Sequence, residues 1–509
     1  MLKAHIQETY SNMQIKDTED GKISRLIAVF LLVIIASCAI SSAAYLGING
    51  NHIYRQSDSL SQILSFSGWK GLSPMDSFQG GPSWFATPLY ELIVSAAAAV
   101  TGLKGAEGDL TAAVLTDLVC FWLLLLSGFR FAEKISSGSG IILIFLLATS
   151  PLYLHYYSVP IPDTLALALS VLAVSLLMDE RCSAPRATAA LFALSAACLI
   201  KSPIPFVLLA FFLTREAILG NLRKRWRLIA IVSLTALVSA LLPEYLRNRF
   251  LGSQNAFFAQ DPWWYFGSFD DRLSLKFWKT MVNRVTKAAP FRVLGSVYAI
   301  AAAVSLVWCA KKRKLSAAVP YLVSFLSGWL VFTHVYMLHD YYSLPTNFIF
   351  FTAVSVCLCR ALKALPPLPD SLRGAWPYAL CVTAILLTVY GKSISGIRDA
   401  GFQHASSWFL RNTDVLLYSA DGTGYYDDSN VPGGLFLTPF KRVDRQDLET
   451  NCSEYLEKYS AVAVHDAKGS KCLQDAAGMA SVFASDDGYT LWIRRDRKQP
   501  AGNGRKSAE

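Results

Sequence analysis

The chain has 509 residues, of which 53% are hydrophobic and only 17% are charged. Soluble domains carry about 25% charged residues, so this composition and a mean hydropathy of +0.36 exclude an ordinary soluble protein and favour a polytopic membrane protein. A net charge of +10 is also compatible with a nucleic-acid partner. The basic residues, however, cluster in short loops between apolar runs, which indicates membrane topology and contact with anionic lipids, and no nucleic acid is expected.

The N-terminal part alternates between polar and apolar segments. Residues 1–23 are polar and are predicted to form a cytoplasmic leader, and residues 24–46 are apolar and long enough to span a membrane. A signal peptide is the competing interpretation, but both segments are too long for one. The polar outer loop 47–90 follows. The apolar segment 88–102 has 15 residues, fewer than the ~20 that a span needs.

Ten further apolar segments are predicted to span the membrane: residues 110–129, 141–153, 164–178, 187–200, 204–219, 228–245, 293–310, 317–332, 343–362 and 376–390. If 88–102 does not cross, the clusters of Lys and Arg in the short loops all face the cytoplasm, as the positive-inside rule requires. The sequence therefore predicts a transmembrane domain over 24–392 with about eleven spans, with 88–102 as an interfacial helix on the outer face. The outer loop 247–290 is basic and aromatic, and it either meets a phosphate-bearing ligand or lies on lipid headgroups.

The composition becomes that of a soluble protein from about residue 393. Residues 393–497 are predicted to form a small periplasmic or extracellular α/β domain, and residues 498–509 a disordered tail. The patterns predict strands over 414–420, 461–466 and 489–495 and helices over 446–459 and 472–482. A Cys452–Cys472 disulfide is compatible with an outer location. No pair of CxxC motifs is present, so a zinc ribbon is not expected.

Four polar segments lie on one predicted side of the membrane: YRQSDSLSQI (54–63), SPLYLHYYSVPIPDTLAL (150–167), LIKSPIPFVLL (199–209) and THVYMLHDYYSLP (333–345). In order and spacing they resemble the dolichyl-phosphate-mannose protein mannosyltransferase and lipid A aminoarabinose transferase superfamily, which has the GT-C fold. The resemblance covers roughly residues 24–362. It implies an α-helical polytopic protein of the bacterial inner membrane that transfers a sugar from a polyprenyl-phosphate carrier on the outer face.

The resemblance also implies two catalytic carboxylates. An aspartate in the first outer loop of the family matches Asp58, and a carboxylate in the second outer loop matches Asp163. Many members carry an Asp-Glu pair one helical turn before the first of these, where this chain has Arg55 and Gln56. The reaction needs a base for the acceptor proton, cations or a metal for the departing phosphate, and exclusion of water. A single carboxylate as base fits inversion at the anomeric carbon.

The candidate substrate-binding residues share a predicted position at the outer edge of the membrane: Arg55, Gln56, Glu91, Lys201, His339, Asp340 and Tyr341. Simpler interpretations remain open for each. Asp163 is also placed to be a plain helix N-cap, and Lys201 to extend towards the headgroups. Glu91 is either a site group or a solvated one, and Tyr341 is also typical of the interfacial aromatic belt. Asp163 and His339 are the candidates for binding a divalent metal ion.

The function that these residues favour is an enzyme, a glycosyltransferase whose acceptor is an envelope lipid such as lipid A, a glycan or a protein. A transporter or flippase of polyprenyl-linked sugars is the first alternative. It predicts polar residues on both faces and at the midplane, whereas here they gather on one side. A membrane scaffold whose outer domain binds a partner is the second alternative, and it predicts that replacing Asp58 leaves function intact.

Overall fold

The computed structural model describes residues 19–45, 59, 63, 89–103, 105–158, 160–179, 182–250, 266–288, 315–364, 379, 382–384, 415–419, 440–443, 450, 461–465, 479–484 and 489–494. The described helices are α1 (Glu19–Tyr45), α2 (Leu89–Thr101), α3 (Gly105–Glu133), α4 (Ser139–Thr149), α5 (Pro151–Tyr156), α6 (Pro162–Leu177), α7 (Ala184–Lys201), α8 (Pro203–Ile218), α9 (Trp226–Phe250), α10 (Phe269–Leu273), α11 (Leu275–Ala288), α12 (Val319–Val331), α13 (Thr333–Leu338) and α14 (Leu344–Ala364). Two 3₁₀ turns cover Leu315–Ala317 and Asp340–Ser343.

Prolines fix where several of these helices begin. Pro151, Pro162 and Pro203 are the first residues of α5, α6 and α8, a position where the missing N–H of proline costs nothing and its fixed φ suits the helix. The predicted span 141–153 is therefore not continuous, because the chain leaves the helix at Ser150 and starts a new one at Pro151. The segment 333–342, which joins two of the predicted spans, contains α13 and a 3₁₀ turn.

Several described helices have the composition of membrane spans. Within the described residues, three helical segments are long and apolar enough to cross a membrane: Thr111–Glu133, Ala184–Lys201 and Tyr341–Ala361. Shorter apolar helices cover Ile27–Ile40, Leu89–Thr101, Ser139–Thr149, Pro162–Leu177, Trp226–Leu242 and Val319–Val331. The total of eleven spans stays a prediction. The predicted span 293–310 and most of 376–390 lie outside the described residues.

The chain divides into two compact units, the first comprising residues 1–43, 84–90 and 114–396. Within it, α6 packs along α7, α8 along α12, and α4 along α14. Every residue of α4 is buried, so this helix lies in the core of the first unit. The Tyr153 hydroxyl of α5 donates a hydrogen bond to the carbonyl of Leu344 at 2.6 Å, which fixes α5 against the start of α14.

The second unit comprises residues 44–83, 91–113 and 397–509, and it contains a five-stranded sheet. The strands are β1 (Val415–Ser419), β2 (Phe440–Val443), β3 (Ala461–His465), β4 (Met479–Ala484) and β5 (Tyr489–Arg494), in the order β2-β1-β3-β5-β4. Strand β1 is parallel to β2 and β3, whereas β5 is antiparallel to β3 and β4. Parallel neighbours need long crossover connections, and the α/β character of this domain stays a prediction.

The strands predicted over 414–420, 461–466 and 489–495 are confirmed as β1, β3 and β5. Strand β2 was not predicted. The predicted helix 472–482 is wrong over its last residues, because β4 begins at Met479. The short connection to β5 favours antiparallel pairing there, and this pairing overrides the helical preference of the small residues before it. The structure describes neither Cys452 nor Cys472. Of the predicted helix 446–459 it describes only Thr450.

Candidate active site

Asp163 lies in the first turn of α6 and is fully buried. The N-cap interpretation is wrong, because the N-cap is Ile161 and no side-chain cap hydrogen bond forms. Among the residues that the structure describes, neither carboxylate oxygen of Asp163 has a hydrogen-bond partner. Its ion-pair partner is Lys201, whose Nζ lies 3.9 Å from Oδ1. Buried carboxylates are normally hydrogen-bonded as well as paired, since their desolvation costs several kcal/mol. Asp163 therefore has unused capacity to accept hydrogen bonds.

Lys201 is the last residue of α7, and its side chain is only 10% exposed. The ammonium group lies 4.8 Å from the ring centroid of Tyr342 and 5.6 Å from that of Tyr341. These distances are typical of cation–π contacts. The expected alternative, in which Lys201 extends towards the headgroups, does not describe this side chain, because it turns inward over the aromatic rings. Lys201 thus brings a positive charge to the buried carboxylate.

The 3₁₀ turn after α13 supplies the aromatic part of the cluster. The ring of Tyr341 stacks on His339 with centroids 5.2 Å apart and an interplanar angle of 15°, and it lies 4.9 Å from the ring of Tyr342. Arg284 of α11 donates hydrogen bonds to the carbonyl of His339 and, at 2.8 Å, to that of Met337. These contacts fix the backbone of the turn. The side chain of Asp340, in the same turn, lies outside the described part.

Three separate segments thus bring together four of the residues that the sequence predicted. Asp163 comes from α6, Lys201 from α7, and His339 and Tyr341 from the segment that joins α13 to α14. The arrangement combines a carboxylate that can accept a proton or a hydroxyl hydrogen bond with a cation that can meet a negative oxygen. Burial strengthens both interactions by excluding water.

A further carboxylate, Asp117, supports this cluster and was not predicted from the sequence. Asp117 is fully buried in α3 and accepts hydrogen bonds from the hydroxyls of Tyr90 and Thr164, both at 2.9 Å. Tyr157 in turn donates to the carbonyl of Thr164 at 3.1 Å. This network anchors the first turn of α6, next to Asp163. An aspartate inside a predicted span is the signal that would have identified it.

Glu91 lies in the second unit, near the start of α2. It is buried, so its interpretation as a solvated group is wrong. The hydroxyl of Ser59 donates a hydrogen bond to Glu91 Oε1 at 3.0 Å, and Ser95 donates to the carbonyl of Ile63 at 3.2 Å. These bonds tie the outer loop to α2. Asp58, Arg55 and Gln56 themselves lie outside the described residues.

The metal prediction has no ligand cluster in the part of the chain that the structure describes. No group of three or more His, Cys, Asp or Glu side chains there is arranged to hold an ion. A divalent ion bound by Asp163 and His339 stays a prediction.

Comparison with known proteins supports the fold. By sequence, the chain matches no family model and no curated protein. By structure, it is similar to ArnT from Cupriavidus metallidurans bound to undecaprenyl phosphate, with a TM-score of 0.58, 14% identity, and coverage of 91% of this chain and 97% of that one. The comparison with ArnT in the apo state gives a TM-score of 0.56 at 14% identity and covers 92% of this chain and 97% of ArnT. The archaeal oligosaccharyltransferase AglB from Archaeoglobus fulgidus gives 0.49 at 11% identity, with 95% and 76% covered. The similarity to ArnT shows that the chain has the fold of the GT-C superfamily glycosyltransferases, as the four polar segments predicted.

Proposed function

We propose that the chain is a membrane glycosyltransferase that transfers a sugar from a polyprenyl-phosphate carrier to an envelope acceptor. The observation that carries the proposal is the buried Asp163, whose carboxylate oxygens make no hydrogen bond among the described residues and lie beside Lys201. A site with this unused capacity fits a substrate that supplies the missing donors. The GT-C fold and the undecaprenyl phosphate bound to ArnT support a lipid-phosphate donor.

Lys201 is assigned to the donor phosphate. When the glycosidic bond to phosphate breaks, negative charge develops on the departing oxygen, and a preorganised cation in a dry site stabilises it most effectively. The side chain is placed for this role, since it is largely buried and held over the rings of Tyr341 and Tyr342. Interaction with the carboxylate of Asp163 keeps the ammonium group oriented when the phosphate is absent.

The two carboxylates are assigned to the acceptor. Asp58 in the outer loop is proposed as the base that removes the acceptor proton, and Asp163 as the group that orients the acceptor hydroxyl. One base and no covalent intermediate give inversion at the anomeric carbon. Glu91, through its bond with Ser59, is proposed to position the loop that carries Asp58.

The proposal also includes location and acceptor. The site is placed at the outer face of the bacterial inner membrane, with the N-terminus in the cytoplasm and the C-terminal sheet outside. The distribution of basic loops supports this orientation. The acceptor is an envelope lipid such as lipid A, a glycan or a protein, which are the molecules that such a face presents.

The test is mass spectrometry of envelope lipids, glycans and glycoproteins from a deletion strain. The strain is complemented with the wild-type chain, Asp58→Asn, Asp163→Asn, or Asp270→Asn as a control at an exposed carboxylate on α10. We expect one sugar modification to disappear on deletion and to return with the wild type and the control, but not with the two site variants. Full restoration by Asp163→Asn would contradict the proposed site.

A further inference from the structure

Helix α11 has two faces with different surroundings. Its inner face carries Phe277, Met281 and Ala288, which are buried. This face packs against α5, α13 and the 3₁₀ turn Asp340–Ser343. The helix is therefore firmly seated on the part of the first unit that carries His339 and Tyr341.

The α11 outer face, which we define as Leu275, Lys276, Lys279 and Val282, is open. The side chain of Leu275 is 82% exposed and that of Val282 is 55% exposed, and both lysines are exposed. At 100° per residue, Leu275 and Val282 lie about 20° apart around the helix, with Lys279 about 40° and Lys276 about 100° from Leu275. An apolar strip thus lies next to a basic one.

The short helix α10, directly before α11 in the chain, adds further exposed apolar side chains. Phe269 and Leu273 are 70% and 67% exposed. Exposed apolar side chains beside lysines are typical of helices that lie in the membrane interface, with the apolar strip at the acyl boundary and the lysines among headgroups. A bilayer of zwitterionic lipids would accommodate the apolar strip but would offer no net negative charge to the lysines. The lysines therefore favour lipids whose headgroups carry net negative charge.

We propose that the α11 outer face is a docking surface for anionic phospholipid headgroups. Charge complementarity identifies this partner, because no ion pair among the described residues involves Lys276 or Lys279. The nearest acidic side chains in sequence are Asp270 and Asp271 on α10. Asp271 is already engaged, since its carboxylate accepts hydrogen bonds from the backbone and the hydroxyl of Ser268.

The inner face connects this docking surface to the candidate active site. Arg284 donates to the carbonyls of Met337 and His339, and His339 stacks on Tyr341. A bilayer that holds α11 in place therefore also restrains the turn that carries the site tyrosines. This consequence, unlike the docking itself, rests on the proposed function.

The experiment uses the full chain in phosphatidylcholine vesicles with 30 mol% phosphatidylglycerol and a trace of photoactivatable phosphatidylglycerol. After illumination, the labelled peptides are mapped by mass spectrometry. We expect labelling within residues 269–288, and a decrease of about 25-fold in Lys276→Gln/Lys279→Gln, which is about fivefold for each lysine near an anionic surface. Arg223→Gln/Lys224→Gln removes the same charge from an exposed loop elsewhere and should leave this labelling unchanged.

Two results would overturn the proposal. One is the absence of label in residues 269–288 of the wild type. The other is equal labelling by a photoactivatable phosphatidylcholine, which would show contact with lipid but no preference for anionic headgroups. A second arm compares sugar transfer with and without phosphatidylglycerol, and we expect the lipid to increase transfer by the wild type but not by the double lysine variant. If no transfer occurs under any condition, the proposed function fails, while the labelling result still decides the docking.

Discussion

Two buried carboxylates lie on neighbouring helices, one near the start of α6 and the other near the end of α8, and their surroundings differ. Asp163, at the start of α6, lies 3.9 Å from Lys201 and makes no hydrogen bond among the described residues. Glu216, near the end of α8, lies 2.8 Å from a guanidinium nitrogen of Arg215 and 2.9 Å from one of Arg225. Both carboxylates are fully buried. The difference between them is the number of protein groups that satisfy the charge.

The contacts around Glu216 are those of a structural ion-pair network. Asn221 donates a further hydrogen bond to Glu216 at 3.3 Å. Arg225 also donates to the carbonyls of Leu177 and Asp179, at 2.6 and 3.2 Å, which ties the end of α6 to the loop after α8. Satisfied in this way, a buried carboxylate stabilises the fold. An unsatisfied one reduces stability, and residues of that kind concentrate at functional sites.

The largest expected effect is on catalysis, from Asp163→Asn. The amide keeps the shape but loses the negative charge that orients the acceptor hydroxyl, so sugar transfer should fall by about 10²-fold. The melting temperature of the purified protein should change little, because the loss of the 3.9 Å ion pair with Lys201 is offset by removal of a buried charge that makes no hydrogen bond among the described residues. Transfer in proteoliposomes and intrinsic fluorescence during heating measure the two quantities. A parallel loss of stability and transfer would make Asp163 structural.

Glu216→Ala is expected to reduce stability without reducing catalysis. This change leaves two largely buried guanidinium groups without their carboxylate, which should reduce the free energy of unfolding by about 3–5 kcal/mol. Transfer per folded molecule should not change. Size-exclusion chromatography gives the folded fraction, and Glu216→Gln, which keeps hydrogen-bond acceptance, serves as the milder control. The comparison between the two ends fails if the alanine variant folds normally and loses transfer.

A double-mutant cycle sharpens the comparison at the Asp163 end. Lys201→Met should destabilise the protein, since it removes the ion-pair partner from a buried carboxylate. Adding Asp163→Asn should recover part of the loss, with a coupling of roughly 0.5–3 kcal/mol, without recovering transfer. Thermal melts of the four proteins give the coupling, and strict additivity would show that the two charges do not interact.

The weakest effect is expected at a partly exposed carboxylate, Asp271 on α10. Hydrogen bonds from the Ser268 backbone and hydroxyl hold the pKa of Asp271 below its usual value. Because the pKa is lowered in the folded protein, these bonds contribute their full stabilisation at pH values above the pKa of the unfolded carboxyl. The stabilisation is lost as the pH falls through the pKa of Asp271 in the folded protein. Ser268→Ala should weaken the start of α10 by about 1 kcal/mol.

Hydrogen exchange of residues 266–275 measures this effect. Relative to intrinsic rates, exchange in the wild type should accelerate as pH falls below the usual range of an aspartate pKa. Ser268→Ala should exchange faster already at neutral pH and show less of this dependence. An unchanged profile in the variant would show that the hydrogen bonds between Ser268 and Asp271 do not stabilise the start of α10.

The sequence predicted helix positions well where apolar runs are bounded by prolines. The predicted spans 164–178 and 204–219 agree within a few residues with α6 and α8, which begin at Pro162 and Pro203. The same residue type caused the main error, because Pro151 divides an apolar run that hydropathy alone treats as continuous. Hydropathy measures burial in lipid and does not register a missing backbone donor.

The site could be predicted only as separate residues. Asp163, Lys201 and Tyr341 each stood out as a polar group at the edge of an apolar run. Their convergence depends on the packing of α6 along α7, and that packing is decided by side-chain fit over both helices. Asp117 and Glu216 were missed because each falls within or at the end of an apolar segment that was assigned as a whole. Which of the buried carboxylates is satisfied depends on contacts from distant segments.

A comparison of Asp163→Asn with Glu216→Ala in the complemented deletion strain separates a catalytic buried carboxylate from a structural one. For each variant, the folded protein in the membrane and the sugar modification of the envelope are determined in the same cells. The account predicts that Asp163→Asn is present at wild-type level without the modification, and that Glu216→Ala is depleted but fully active per folded molecule. The reverse pattern, with Asp163→Asn depleted yet active and Glu216→Ala abundant yet inactive, would contradict it.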